Sequence, residues 1–485
     1  MHIPPLLMSI KSAKKSDYLT ELQGHPILER IREIASEAGV EVYAVGGFVR
    51  DFFLRKHVKD IDFVVVGDGV AFANLVAKVL KTRRVAVYRK FGTAMISYKN
   101  YQLEFAGARK ESYRTDSRKP VVEPADLMTD LDRRDFTINA MAVSLNADTW
   151  LRLIDPFDGR RDLQKKIIRT PLDPEATFSD DPLRIMRGIR FATQLGFAIE
   201  EQTFAAMRAM RDRLQIISQE RITDEFMKIV LADKPSRGFN LMDETGVLEY
   251  FFPEFVRLKG VEEREGFQHK DVFDHTLQVL DNIARVTGKP ELRLAALMHD
   301  IAKPKTKQFR EGKGWTFHGH EELGARMIPA IYKRMRLPID WMKYAQKLTR
   351  LHLRPIALTE EECTDSAYRR LLFLAGEELE DLLTLCRADI TSKNPKRRKK
   401  HLQNFEFVVR RLSEVEEKDR MRSFQSPIRG DEIMALCAIP PGPLVGKIKT
   451  RIENAILDGE IENDYEAAKA YLLKIAPEYL EGKTG

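Results

Sequence analysis

Apolar side chains recur three and four residues apart through PILERIREIASEAG, and a glycine follows, so residues 25–39 are expected to form an amphipathic helix closed by Gly39. Short apolar runs of strand type fall at 41–45, 61–66, 94–98 and 102–106, with helical stretches between the first three. From DDPLRIMRGIRFATQLGF (180–197) onward the helical spacing takes over and strand signals vanish. FFPEF (251–255) and the polar VEEREGFQHK that follows mark a boundary near 258. A second helical unit is expected from Asp271 to about 395, and SKNPKRRKKH (392–401) reads as a basic linker or a helix start. A last helical segment carries the turn IPPGPLVG (439–446). The pattern predicts a multidomain chain: a mixed α/β head over 1–160, a helical neck over 161–258, a second helical unit over 259–395 and a helical tail over 396–485.

At 485 residues the chain exceeds one ordinary core. Lysine and arginine outnumber aspartate and glutamate by seven, a mild sign of a polyanionic partner such as RNA. Cys363, Cys386 and Cys437 lie far apart, without metal-ligand spacing or a disulfide pattern, which suits a reducing, cytoplasmic setting. No run approaches the length of an apolar membrane span.

The chemistry gathers in VYAVGGFVRDFFLRKHVKDIDFVVVG (42–67). Residues two apart in a strand share a face, so Asp60 and Asp62 project together while Ile61 turns to the core. Two adjacent carboxylates repel unless a cation lies between them, and hard oxygen ligands of this kind suit Mg²⁺ with substrate phosphates. The Gly46–Gly47 turn opens a helix whose free N–H groups can receive a triphosphate. Glu104 in YQLEFAGAR is a candidate third carboxylate, able to orient or deprotonate an attacking hydroxyl.

The order GG, RD, D-x-D resembles the polymerase-beta-like nucleotidyltransferase head, and more narrowly the class II tRNA nucleotidyltransferases (CCA-adding enzymes) and bacterial poly(A) polymerases. LEFAGARKESY (103–113), RRDFTINAMA (133–142), IDPFDGRRDL (154–163), DDPLRIMRGIRFATQLGF and ISQERITDEF (217–226) match the same subfamily in order. The resemblance implies template-independent addition of CCA to tRNA 3′ ends from CTP and ATP, by two-metal nucleotidyl transfer with Mg²⁺. CC-only, A-only or poly(A) addition are the alternatives within the class. The resemblance further implies nucleotide contacts from Arg50, Arg134, Asp135 and Asn139, with Arg109 and Arg187 near the triphosphate. Arg221 and Glu220 would brace the neck helices. RNA recognition would rest on shape and phosphate contacts along the acceptor stem, with 392–401 and 445–451 as basic candidates.

In DDPLR, Pro182 suits a first helical turn, and Asp181 and Arg184 fall three apart on one face. A carboxylate acceptor beside a guanidinium donor matches the amino group and ring nitrogen of cytosine and adenine, and mismatches uracil and guanine. The subfamily's EDxxR begins here with Asp180 in place of glutamate. The competing reading is an ordinary intrahelical ion pair.

Several of the ten histidines stand beside acids in the second helical unit: His275, His299-Asp300, His318, His320 and His352, with Asp389 downstream. Imidazole plus carboxylate is a ligand set for Mn, Fe, Ni, Co or Zn. The arrangement resembles the HD phosphohydrolase superfamily, which would make His275, His299, Asp300 and Asp389 metal ligands and His320 and His352 accessory ligands or phosphate contacts. The alternative is a set of remnants bracing a helical body that grips RNA. An HD hydrolase with an inert head, or a non-catalytic RNA chaperone, are the readings from other classes.

Overall fold

The computed structural model describes residues 21–56, 58–82, 84–88, 92–114, 117–260, 263–264, 267–268, 271–359, 363–392, 394–423, 427–457, 460–462 and 464–480. The chain divides into two compact units, Met1–His352 and Leu353–Gly485.

The first helix, α1 (Pro26–Ala38), forms where the spacing predicts it; His25 Nδ1 accepts from the Leu28 amide, and Gly39 ends it at φ 64°. Then come β1 (Val42–Val45), α2 (Gly47–Phe53), β2 (Asp60–Val65), α3 (Gly69–Val79), β3 (Val85–Tyr88), β4 (Thr93–Tyr98) and β5 (Tyr101–Gly107). A hairpin, β6 (Arg109–Arg114) and β7 (Ser117–Pro124), leads to α4 (Leu127–Asp132), β8 (Ala142–Ser144), β9 (Leu153–Ile154) and α5 (Gly159–Lys165). One seven-stranded sheet runs β3-β4-β5-β2-β1-β8-β9. The β2–β5 pair is parallel and its other pairs are antiparallel. Ile61, Phe63, Leu103 and Phe105 are buried on the core face of β2 and β5, with the two phenylalanine rings stacked at 4.9 Å. The opposite face carries Asp60, Asp62 and Glu104 at one end and, from Val64 onward, a small apolar cluster with Leu127 and Leu131.

The neck holds β10 (Ile167–Ile168), α6 (Pro174–Asp180), α7 (Leu183–Leu195), β11 (Ala198–Ile199), α8 (Glu201–Ala209), α9 (Gln219–Val230), α10 (Pro235–Glu244), α11 (Leu248–Phe251) and α12 (Pro253–Val256). The first unit continues with β12 (Glu263–Arg264), β13 (Phe267–Gln268), α13 (Val272–Ala284), α14 (Pro290–Met298), α15 (Lys303–Thr306), β14 (Gln308–Arg310), β15 (Gly314–Thr316), α16 (His320–Arg334) and α17 (Ile339–Leu351). Strand signals therefore do not vanish after residue 180: β10 pairs with β11, β12 with β13 and β14 with β15. These pieces are two or three residues long, too short to show alternation.

Hydrogen bonds cross the expected boundary at 258. Arg293 on α14 donates to the carbonyls of Val230 and Ala232, and Asp281 on α13 accepts from Ser236. Thr223 on α9 donates to the Met335 carbonyl just beyond α16. These bonds make the expected neck and the first half of the expected 259–395 segment one body.

The second unit contains α18 (Arg354–Ala357), α19 (Asp365–Ala375), α20 (Leu379–Asp389), α21 (Pro395–Ser423), α22 (Gly430–Cys437), α23 (Pro443–Leu457) and α24 (Tyr465–Leu480). The basic stretch at 392–401 is a helix start: Asn394 Oδ1 accepts from the amides of Lys396 and Arg397, and Pro395 opens α21. No helix among the described residues is long and apolar enough to cross a membrane.

Candidate functional site

On β2, Asp60 is exposed, Ile61 buried and Asp62 partly buried, the alternation expected of a strand with one polar face. Asp62 lies opposite Glu104 in the parallel β2–β5 register, which brings the third carboxylate onto the same face. Burial pushes the Asp62 carboxyl up; Arg134 and Arg50 work against it, and Asp60 adds to it. Glu104 is raised by burial and then by Asp62, with Arg109 opposing. Both directions describe negative charge without enough compensation. Asp60, Asp62 and Glu104 do not form a group of three ligand atoms within 4.8 Å of one another. Two carboxylates with substrate oxygens suffice for Mg²⁺, so the donor set fits that ion.

Gly46 holds the turn at φ 68°, a conformation that costs little only for glycine. A β-carbon there would stand 2.9 Å from Arg134 Nη1 and 3.7 Å from Asp62 Oδ2. The turn is thus pressed against a guanidinium and a metal-type carboxylate, and the first amides of α2 open beside them.

RRDFTINAM supplies a chain of polar contacts. Arg50 donates from Nε and Nη2 to both oxygens of Asp51 and from Nη1 to Asn139 Oδ1 at 2.8 Å. Asn139 Nδ2 donates to Asp135 Oδ1, which also accepts from the Phe136 amide. Asp135 Oδ2 accepts from Arg187 Nε at 2.8 Å and faces Nη2 at 2.6 Å. Burial opposes the charge of Asp135, yet Arg187 and Asn139 outweigh it and bring the carboxyl down to about 2. Each oxygen of Asp135 thus has two donor neighbours, which fills its accepting capacity. In this arrangement Asp135 holds Asn139 and Arg187 in place.

Asp130, wholly buried on α4, escaped the sequence reading. It accepts from Arg133 Nε and Nη2 and from Arg134 Nε and Nη2, and so fixes both arginines of the motif. Its carboxyl is held below the ordinary range because these two guanidiniums outweigh its burial. The signal was present as acid-to-arginine spacings of three and four.

Asp181 precedes α7 with extended backbone, and Pro182 is the cap, so the helix begins later than expected and Asp181 is outside it. Its Oδ1 accepts from the Leu183 amide at 3.1 Å, and its Oδ2 accepts from Arg221 Nη2 at 2.9 Å. Arg184 is buried and donates to the carbonyls of Arg133 at 2.7 Å and Thr177 at 3.3 Å. Arg184 therefore donates to backbone carbonyls, and the Arg133 bond ties it to the RRD segment. Glu220 stands 3.6 Å from Arg336, both exposed.

A second site lies in the helical part of the first unit. Asp300 is buried, with Oδ1 3.2 Å from His320 Nε2 and 3.8 Å from His352 Nε2. Its Oδ2 stands 3.3 Å from His299 Nε2, 3.6 Å from His275 Nε2 and 2.6 Å from Lys303 Nζ. His299, His320 and His352 each set Nδ1 within 2.6–2.7 Å of a backbone carbonyl, that of Ala296, Phe317 and Thr349. A carbonyl accepts, so Nδ1 carries the hydrogen and Nε2 the lone pair. His320 Nε2 and His352 Nε2 then face each other at 3.3 Å, lone pair to lone pair, unless a cation or proton lies between them. Asp300, His320 and His352 present ligand atoms within 4.8 Å of one another, which fits a divalent metal. Burial opposes the charge of Asp300, but His299 and Lys303 hold its carboxyl well below the ordinary value. His318 is exposed, and Asp389 ends α20 in the second unit.

Residues 42–169 match the family model of the poly A polymerase head domain. Residues 196–258 match the probable RNA and SrmB-binding site of polymerase A, and 272–394 match the HD domain. The A-adding tRNA nucleotidyltransferase of Deinococcus radiodurans is 32% identical over 370 residues, 73% of this chain and 81% of that protein. The Multifunctional CCA protein of Methylococcus capsulatus is 34% identical over 369 residues, covering 72% and 81%. A solved tRNA nucleotidyltransferase complexed with a primer tRNA and an incoming ATP analog superposes with a TM-score of 0.57 at 26% identity, over 80% of this chain and 99% of that one.

Proposed function

We propose that this chain, which belongs to the family of tRNA nucleotidyltransferases and poly(A) polymerases, adds CCA to the 3′ end of tRNA from CTP and ATP without a nucleic-acid template. The observation that carries the reading is the bond from Arg184, three residues after Asp181, to the same RRD segment whose Arg134 lies against the glycine turn beside Asp62.

Asp60 and Asp62 would hold Mg²⁺, which supplies charge neutralisation at the attacked phosphorus and at the departing pyrophosphate. The Gly47 amide, Arg50 and Arg187 orient the triphosphate, while the Gly46 N–H is held by the Met141 carbonyl. Glu104, raised by burial and by Asp62, takes the proton of the primer 3′-OH as its oxygen bonds to the α-phosphorus. The bond to the pyrophosphate oxygen breaks, and pyrophosphate leaves toward the arginines. Asp181 accepts from the amino group of C or A, and Arg184 donates to the adjacent ring nitrogen. Arg221 holds the Asp181 carboxylate in place while it does so. The segments 1–160, 161–258, 259–395 and 396–485 are proposed as catalytic head, nucleotide-selecting neck, HD-type segment and RNA-binding tail.

The test is incorporation on tRNA transcripts ending before CCA, after C and after CC, offered CTP and ATP separately with Mg²⁺. Ordered addition of C, C and A that then stops, with UTP and GTP refused, supports the proposal. Addition of A alone, of C alone, or of an unbounded A tail replaces it with the corresponding relative's activity. No incorporation at all removes it.

The histidine cluster favours a second activity in the same chain, hydrolysis of a phosphate ester. Asp300, His320 and His352 would hold a divalent transition metal (Mn, Fe, Ni, Co or Zn), which supplies Lewis-acid activation of the ester. Release of p-nitrophenol from bis-p-nitrophenyl or p-nitrophenyl phosphate, abolished by a strong chelator and lost in H320A, tests it. Equal release by the wild type and H320A overturns it.

A further inference from the structure

Phe191 lies on α7, is 6% exposed, and meets the edge of Phe136 at 6.0 Å. The guanidinium carbons of three arginines stand near its ring centroid: Arg190 at 4.1 Å, Arg50 at 5.1 Å and Arg187 at 5.5 Å. Three like charges around one ring repel, so each is given its own acid. Arg50 is paired with Asp51 at 2.7 Å, Arg187 with Asp135 at 2.6 Å and Arg190 with Glu225 at 2.6 Å. A guanidinium offers five N–H groups, and these pairings leave some of them on Arg50 and Arg187 unused. Arg50 comes from α2, and its Nη2 would stand 3.7 Å from a β-carbon on Gly47, at the glycine turn. Arg187 comes from α7, one turn before Phe191 itself. An aromatic face attracts cations without consuming their hydrogen-bond donors, which suits a support whose cargo must still bind something else.

We propose that Phe191 is a positioning residue for nucleotide binding: its ring fixes the guanidiniums of Arg50 and Arg187, borne on separate elements, at one spacing that receives the polyphosphate of the incoming nucleotide. Arg190, tied to Glu225 on α9, anchors the ring's surroundings to the neck. The inference rests on the nucleotidyltransferase reading above. Phe191 touches no reacting atom and acts through the two arginines.

The experiment compares the full-length wild type with F191L and F191Y. It measures KM and kcat for CTP and ATP on tRNA transcripts, and CTP affinity by calorimetric titration with Ca²⁺ in place of Mg²⁺. Loss of the ring face in F191L is expected to raise KM and weaken CTP binding about tenfold, with kcat changed less than about twofold. F191Y keeps the ring and is expected to stay within about twofold of the wild type. Titrations are run below the melting point of each variant; if F191L does not fold, F191M is read against F191Y in its place. A fall in kcat at unchanged KM, an unchanged CTP affinity, or an F191Y as impaired as F191L overturns the inference. Wild-type protein that neither binds nor incorporates CTP removes the nucleotidyltransferase reading and this inference with it, whereas an active wild type with an indifferent F191L removes the inference alone.

Discussion

Replacing Asp135 by asparagine keeps the shape of the side chain and removes its charge, which isolates one ion pair. The carboxyl falls from an ordinary 3.8 to about 2 in the folded chain, chiefly because Arg187 outweighs the cost of burial. Folding therefore favours the ionised form, and the difference corresponds to about 2 kcal/mol near neutral pH. Because the folded value is depressed, this stability is fully present above the unfolded pKa and is lost as pH falls from about 4 toward about 2. D135N also turns an amide N–H toward Arg187, so the loss at pH 7 is at least about 2 kcal/mol. For a body of this size that lowers the melting temperature by roughly 2–4 °C. Thermal unfolding of wild type and D135N at pH 7, 4 and 3 measures it. The gap should be nearly full at pH 4 and about halved near pH 3. Equal melting at pH 7, or a gap that does not shrink by pH 3, would show that the Asp135–Arg187 pair does not have the energetic role given to it.

Four further outcomes are expected. G46A puts a methyl group into a left-handed turn 2.9 Å from Arg134, and should lower kcat/KM for CTP by at least about tenfold, read in steady-state incorporation. D60N and D62N should each reduce incorporation on the order of 10³-fold while tRNA binding in a gel-shift assay is retained, since only phosphoryl-group stabilisation is removed. R221Q frees Asp181 Oδ2 and should weaken discrimination against UTP and GTP about tenfold, measured as the ratio of kcat/KM values. D300N withdraws the carboxylate that faces His320 and His352, so metal per chain by plasma mass spectrometry should fall toward zero after metal-free dialysis, whereas the wild type keeps its metal.

The sequence exposed what periodicity and residue chemistry can encode locally. α1 and its glycine cap, the alternating Asp60-Ile61-Asp62 and the helical character after residue 180 were legible because each depends on neighbours a few positions away. The placement of Glu104 beside Asp62 was legible only as chemistry; the parallel register that achieves it joins strands about forty residues apart. β3, the β6–β7 hairpin and the two- and three-residue strand pairs carry too little pattern to be seen. Asp181 and Arg184 looked like partners because three residues separate them, yet Asp181 stands before the helix and each finds another partner. Arg221 read as a brace and does brace, but the group it holds is Asp181, forty positions away. Asp130 and Phe191 remained hidden because their work is to hold other side chains.

The helix α9 carries both Arg221, which grips Asp181, and Thr223, which donates to the Met335 carbonyl at the end of α16. The same α16 begins with His320. One short rod therefore has Asp181, the proposed nucleotide selector, at one contact and the histidine-bearing helix at another. Linkage makes such a connection reciprocal: if an ion settling on His320 shifts α16 and with it the hold on Asp181, then nucleotide binding must change the affinity for that ion by the same factor. Chelation and nucleotide choice thus become two readings of a single coupling free energy, measurable from either end.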